Sequence, residues 1–237
     1  MESRITDQPA FLLHRRPFQE SSLILDIFTR DYGRLSLIAK GARERRDIAH
    51  FQSGQVLRVG WSGRSELKQL TAIDSHALTI PVQHTLLLYY LNELLLYLLP
   101  VQDPYPQVFE CYQVTLLQLA ETEVEPLLRR FEYHLLVSLG MMPDLVKEAD
   151  SGQAVDAAQW YRLLPQVGML RTPADDEAGF PGAFLLALAA GQFEALQWRR
   201  YSKRLMRTII DFNLHGRTLQ SRKLYQQMNL NRTSHEQ

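Results

Sequence analysis

Between residues 10 and 73 the apolar positions fall into five short runs: AFLLH (10–14), SSLILDIF (21–28), GRLSLIA (33–39), QVLRVGW (55–61) and LKQLTAI (67–73). Each is rich in β-branched, aromatic or leucine residues. Arg16-Pro17, Arg30-Asp31-Tyr32-Gly33, Ser53-Gly54 and Trp61-Ser62-Gly63 supply turn material between them. No stretch among them is long enough for a crossover helix. The pattern predicts a small closed antiparallel barrel over residues 1–80, of the OB or SH3-like kind.

After Pro81 the period changes from two to nearly four. Thr85 to Leu99 is a nearly all-apolar helix ended by Pro100, with Asn92 and Glu93 as polar interruptions in its middle. At 15 residues it is short for a bilayer span, which needs about 20. Val108 to Ala120 predicts a second helix. Glu125-Pro126 opens a third, with Leu128, Phe131, Leu135 and Leu139 as its core stripe and Gly140 as its stop. Residues 144–181 are irregular, with loops and short elements expected. Phe184 to Ala190, Phe193 to Leu214 and Leu219 to Met228 predict three more helices. The whole reads as an α+β multidomain chain: a five-stranded antiparallel OB-type β-barrel, then an α-helical domain over 81–237.

Composition is that of a globular protein, 46% hydrophobic and 22% charged. The start, MESRITDQPA, has no apolar run and reads as no secretory signal. Cys111 is the single cysteine, which excludes an intramolecular disulfide and a Cys-based zinc site. These features point to the cytoplasm. The net charge of zero hides an asymmetry: residues 1–80 carry +3, residues 81–180 carry −9 and residues 181–237 carry +6. Two basic ends around an acidic middle leave room for a polyanion site.

No phosphate loop, dinucleotide fingerprint, nucleophile elbow or HExxH motif is present. The seven histidines are scattered, and none pairs with a carboxylate at metal-ligand spacing. His134, beside Glu132 and Tyr133, reads as structural, and Asp175-Asp176-Glu177 as a solvated turn. No catalytic residue, metal or cofactor is expected.

Three basic clusters remain. In GRLSLIAKGARERRD (33–47) a strand ends in Lys40, Arg43, Arg45 and Arg46, joined by Arg15, Arg16, Arg30 and Arg34. This is either a solvated loop or one wall of a phosphate site, with Glu44 and Asp47 partly offsetting its charge. Phe18, Tyr32, Phe51 and Trp61 are the candidate base stackers beside it, although each taken singly reads as core before platform. Arg199, Lys203 and Arg207 recur at helical spacing with Arg200 and Arg204 in the adjacent row, and no acid lies between 195 and 210. Like charges one turn apart repel, which an anionic partner would reverse; a solvated face is the alternative. Arg129 and Arg130 interrupt an apolar helix, either to pair with nearby glutamates or to receive a carboxylate.

These stretches also carry a resemblance. RRPFQESSLILDIFTRDYGRLSLIAKGARERR resembles the N-terminal signature of the RecO family of bacterial recombination mediators, with its E-(T/S)-S, F-T…G-R and A-K-G-A-R elements. LNELLLYLL, LRRFEYHLLVSLG and GRTLQSRKLYQQM resemble later family segments in the right order, so that the likeness spans about residues 8–228. It implies an OB barrel and a helical domain that bind single- and double-stranded DNA and anneal complementary strands. It also implies help in loading recombinase on DNA coated by the single-stranded DNA-binding protein, in recombinational repair. RecR and that protein's acidic C-terminal tail are the implied partners. Arg34, Lys40 and Arg43 would line the DNA face, and Arg129, Arg130 and Phe131 the tail site. Some relatives carry a four-cysteine zinc module, but residues 144–175 here hold no cysteine. A nucleoid-associated cytoplasmic protein is the expectation. The alternative is an OB-fold adaptor that binds protein or RNA without annealing.

Overall fold

A computed structural model of the chain describes residues 4–44, 50–120, 123–174 and 176–235, with side chains as far as residue 228. It divides into two compact units, residues 1–121 with 218–237, and residues 122–217.

The first unit contains strands β1 (Arg4–Phe18), β2 (Ser22–Thr29), β3 (Gly33–Ala39), β4 (Gln55–Ser62) and β5 (Leu67–Ala77). Their ladders run β1–β2–β3–β5–β4 and back to β1, so the sheet closes on itself. Four ladders are antiparallel, as the sequence suggests. The fifth, β3 against β5, is parallel over Ser36–Leu67, Leu37–Lys68 and Ile38–Gln69. An odd number of strands in a ring cannot alternate direction all the way round, so one pair must run the same way. Inside the ring, Leu23, Leu25 and Ile27 of β2 meet Leu35, Leu37 and Ala39 of β3 and Leu57, Val59 and Trp61 of β4.

β2 is buried on both faces, which is why SSLILDIF shows no clean alternation. On its outer face Phe28 and the neighbouring Phe11 of β1 are covered by Phe109 and Tyr112, with ring centroids 4.9–5.4 Å apart. Those two rings belong to α2 (Pro106–Gln118), which follows α1 (Thr85–Leu98).

β1 carries the decisive irregularity. Its register with β2 slips between Leu12 and His14, so Leu13 is an extra residue with no partner across the ladder. Its carbonyl is buried and needs a donor. Asn92 of α1 supplies one, with Nδ2 3.0 Å from Leu13 O, and the Tyr112 hydroxyl donates to Asn92 Oδ1. Burial pushes the Tyr112 phenol well above its usual pKa, so it stays a donor. The adjacent Glu93 caps α6 (Gln220–His235), accepting from the Gln220 and Ser221 amides at 2.8 and 2.9 Å. The two polar residues of the apolar helix are thus its two fixing points.

The second unit packs α3 (Val124–Ser138) against α5 (Arg199–Asn213), with the short α4 (Gly182–Ala189) beside them. The sequence expects helices here, with loops and short elements over residues 144–181. The structure adds a three-stranded antiparallel sheet: β6 (Trp160–Leu164) lies between β7 (Gly168–Thr172) and β8 (Phe180–Pro181). α5 begins at Arg199 after a short 3-10 turn, so residues 193–195 stand outside it.

Asn92→Ala tests the bulge. It takes the Asn92 donor from the buried Leu13 carbonyl, at about 1–3 kcal/mol, and removes the acceptor of the Tyr112 hydroxyl. Urea unfolding should show that loss with an unchanged slope, and a change below about 0.5 kcal/mol, the size of an ordinary surface substitution, would contradict it.

Candidate nucleic-acid interface

The A-K-G-A-R stretch folds into the turn that ends β3, and its geometry accounts for each residue. Ala39 and Ala42 are buried and belong to the barrel core. Gly41 takes a left-handed conformation, φ 65°, which the turn requires. Lys40 and Arg43 are left projecting into solvent. The Arg43 amide donates to Ser21 O and its Nη1 to Glu20 O, both at 2.9 Å, tying this turn to the β1–β2 turn.

Arg15 and Arg16 reach the same end of the sheet. β1 pairs with β4 only as far as Phe11, and beyond the bulge it continues with β2 alone as a two-stranded ribbon. Arg15 lies opposite Leu25 and Arg16 opposite Ile24, so they occupy opposite faces of that ribbon, and both are exposed. Pro17 pairs with Leu23, which pairs with Ala39, so the register places Arg16 and Lys40 at one end of three adjacent strands. Among the described residues, Arg15, Arg16 and Lys40 have no ion-pair partner. Arg45 and Arg46 lie outside the described residues, as does Asp47.

Arg34 differs. Its guanidinium donates to Leu99 O at 3.2 and 3.1 Å, and its carbonyl accepts from the Gln102 amide. Next to it, a side chain at Gly33 would meet the Asp103 carbonyl at 2.0 Å. The G-R pair of the turn therefore seats the connection between α1 and α2. Arg30, in the same turn, pairs with Glu110 at 3.4 Å. Of the candidate stackers, Phe51 and Trp61 are sealed in the barrel core, Phe18 is half-buried, and Tyr32 stands edge-on to Trp61 with its outer edge exposed.

In the second unit the cations of α5 meet acids at the start of α3 and on α5 itself. Arg199 pairs with Glu123, Lys203 lies 4.0 Å from Glu125, and Arg207 is 3.4 Å from Asp211. The absence of acids between 195 and 210 thus does not leave this helix uncompensated. Arg204 is a clamp: it donates to the carbonyls of Glu177 and Gly179 and lies 4.4 Å above the Phe180 ring. Arg200 is exposed and, among the described residues, has no ion-pair partner. In the clamped loop, Asp176 accepts from Arg162, Thr172 and the Ala178 amide, and chiefly through Arg162 its carboxyl is held down to about 2. Asp175 lies outside the described residues.

On α3, Arg129 is buried and pairs at 2.7 Å with Glu132, which is wholly enclosed. Phe131 is fully buried in the core. Of the three residues named for a tail site, solvent thus reaches chiefly Arg130, which pairs with Glu194 and lies 5.8 Å from the Phe193 ring. His134 stays below its usual pKa through burial and the nearby Arg130, consistent with a neutral structural imidazole. Among the described residues no cluster of three or more His, Cys, Asp or Glu side chains suits a metal, and no helix is long and apolar enough to cross a membrane.

A closed five-stranded barrel of OB order with cations gathered at one end defines an OB-type protein. Comparison with known proteins carries this to a family. The model for Recombination protein O N terminal matches residues 1–78, and that for Recombination protein O C terminal matches residues 83–223. The chain is 43% identical over 229 residues to DNA repair protein RecO of Methylococcus capsulatus, with 94% of each chain covered. It is 38% identical to DNA repair protein RecO of Marinobacter nauticus, with 97% of each covered. For the DNA repair protein RecO of Aromatoleum aromaticum the identity is 39%, covering 96% of this chain and 98% of that one. The chain belongs to the RecO family of DNA repair proteins.

Arg129→Ala removes the guanidinium that lies 2.7 Å from the enclosed Glu132 carboxylate, and breaking a buried pair in this way costs about 3–5 kcal/mol. Chemical unfolding should show that loss for the variant, with much of it recovered in Arg129→Met/Glu132→Met, and an unperturbed Arg129→Ala would contradict the buried pairing.

Proposed function

We propose that the chain is a non-catalytic recombination mediator that binds single- and double-stranded DNA, anneals complementary strands and helps to load recombinase on DNA coated by the single-stranded DNA-binding protein. The observation that carries this reading is the group of Arg15, Arg16, Lys40 and Arg43 at one end of the barrel. The fold spends backbone hydrogen bonds and a glycine turn on holding the A-K-G-A-R loop, while Arg15, Arg16 and Lys40 have no ion-pair partner among the described residues. Exposed, uncompensated cations on a rigid sheet end suit a phosphate backbone.

Two complementary strands repel each other through their phosphates. Cations that screen one strand while it meets the other lower that repulsion and raise the encounter rate. The second unit contributes its own cations through Arg200, Lys203 and Arg207 of α5. The acids beside Lys203 and Arg207 form exposed pairs worth about 0–1 kcal/mol each, which a polyanion displaces readily. Arg130 is the residue we assign to the acidic tail of the coating protein, with Arg129 and Phe131 behind it as support. RecR is the further partner, and the nucleoid the place of action. The relatives' shared name, DNA repair protein RecO, supports the reading at the level of repair.

The direct test mixes complementary oligonucleotides, bare and coated with the single-stranded DNA-binding protein, and follows duplex formation. The chain should speed annealing on the order of tenfold or more at low salt, and Arg15→Ala/Arg16→Ala/Lys40→Ala should lose most of that gain. Binding without acceleration would overturn the proposal in favour of an adaptor.

A further inference from the structure

Of the four barrel rings that could stack on bases by sequence, Phe18 is the one that shares an open surface with the barrel-end cations. We propose that the outer face of β1, β2 and β3 at this end takes an unpaired DNA strand, with a base stacked on Phe18 and phosphates on Arg16 and Lys40. This names the ligand of the site described above and rests on that reading.

The register builds the face. Arg16 pairs with Ile24, which pairs with Ile38, so these three side chains point the same way. Phe18 and Ser22 form the next such pair toward the end of the sheet, and Lys40 follows Ile38 by two residues. Leu23, Leu25, Leu37 and Ala39, at the alternate positions, fill the barrel core, so the first set lies outside. The helix cover stops short of it. Phe109 lies over Phe28, but Asp26, the next outward position on β2, has beside it a His14 whose side chain is 54% exposed. The other rings are placed differently: Phe51 and Trp61 are sealed in the core, and Tyr32 is in the β2–β3 turn at the opposite end.

Charge gives the occupant. Phe18 and Ile38 are half-buried and Ile24 is nearly closed to solvent, so the centre of the face is apolar. Arg16 and Lys40 flank it on β1 and β3, strands roughly 9.5 Å apart. Both are exposed and, among the described residues, have no ion-pair partner. Asp26, the acid at an outward position here, is already answered: it accepts from Ser36 Oγ at 2.6 Å and lies 3.5 Å from His14 Nδ1. A duplex could use the cations but hides the faces of its bases within its own stack. An unpaired strand repeats a π-face and a phosphate at every nucleotide, the combination that this face offers.

The test uses the full chain with oligo(dT), a duplex of the same length and a polyglutamate of matched charge, with binding followed by anisotropy. Phe18→Leu keeps apolar volume without a ring. It should weaken oligo(dT) binding about tenfold while duplex affinity stays within about twofold. Phe18→Trp should keep the oligo(dT) affinity and gain tryptophan emission that oligo(dT) quenches and the duplex does not, a readout that a disturbed fold would not give. Unchanged oligo(dT) affinity in Phe18→Leu would overturn the stacking site, and the proposed function would stand if Arg15→Ala/Arg16→Ala/Lys40→Ala still weakened binding. An equal loss on duplex and single strand would overturn it too. Polyglutamate should bind far more weakly than oligo(dT), and equal affinity would give the face to an acidic protein instead. A wild-type chain that binds neither DNA would fail both readings.

Discussion

One unpaired carbonyl organises the first unit. The extra residue in β1 puts Leu13 outside the ladder, and a buried carbonyl without a donor costs too much to leave alone. The donor comes from Asn92, which fixes α1 against β1, and Tyr112 completes the link from α2. With α2 so placed, Phe109 and Tyr112 close over Phe11 and Phe28, and the outer face of β1 and β2 becomes a second core. The same slip reverses the pleat after Leu12, and so decides which of Arg15 and Arg16 takes which face of a ribbon that β4 no longer borders. A packing constraint and the placement of surface cations therefore share one cause.

The distribution of charge follows a similar economy. Several arginines that look alike in the sequence have different work. Arg34 seats a connection, Arg204 clamps a loop, and Arg129 neutralises a buried glutamate. Each donates to a fixed acceptor that a ligand would have to displace. Arg15, Arg16, Lys40 and Arg200 have no such duty among the described residues. Zero net charge is compatible with a polyanion partner because the acids sit largely in the middle of the chain, where many of them pair locally.

Much of this was legible in the sequence. The five strands were visible because interior leucines recur every second residue in β3 and turn residues punctuate the runs. The helices α1 to α3 were visible from their apolar stripes and prolines. Three things were not. The parallel β3–β5 ladder follows from ring closure, which no local pattern expresses. The sheet of β6, β7 and β8 is made of strands of five residues or fewer in a stretch rich in glycine and proline, too short for alternation to stand out. Partners distant in sequence, such as Glu123 for Arg199 and the loop carbonyls for Arg204, leave no trace in spacing along a helix. Phe51 and Trp61 could be named only as candidates that read as core first, because exposure is a property of the closed barrel. The continuous apolar run of β2 and the polar pair Asn92-Glu93 were signals for the helix cover and its anchors.

The central claim is that uncompensated cations at the barrel end, and not net charge, bind the phosphate backbone. The measurement closest to it is the salt dependence of single-strand binding by the wild-type chain and by Arg15→Ala/Arg16→Ala/Lys40→Ala. Each neutralised phosphate contributes about 0.7 to the slope of log K against log salt concentration, so the triple variant should bind more weakly with a slope shallower by about 2. The same slope and the same affinity in both proteins would contradict the account.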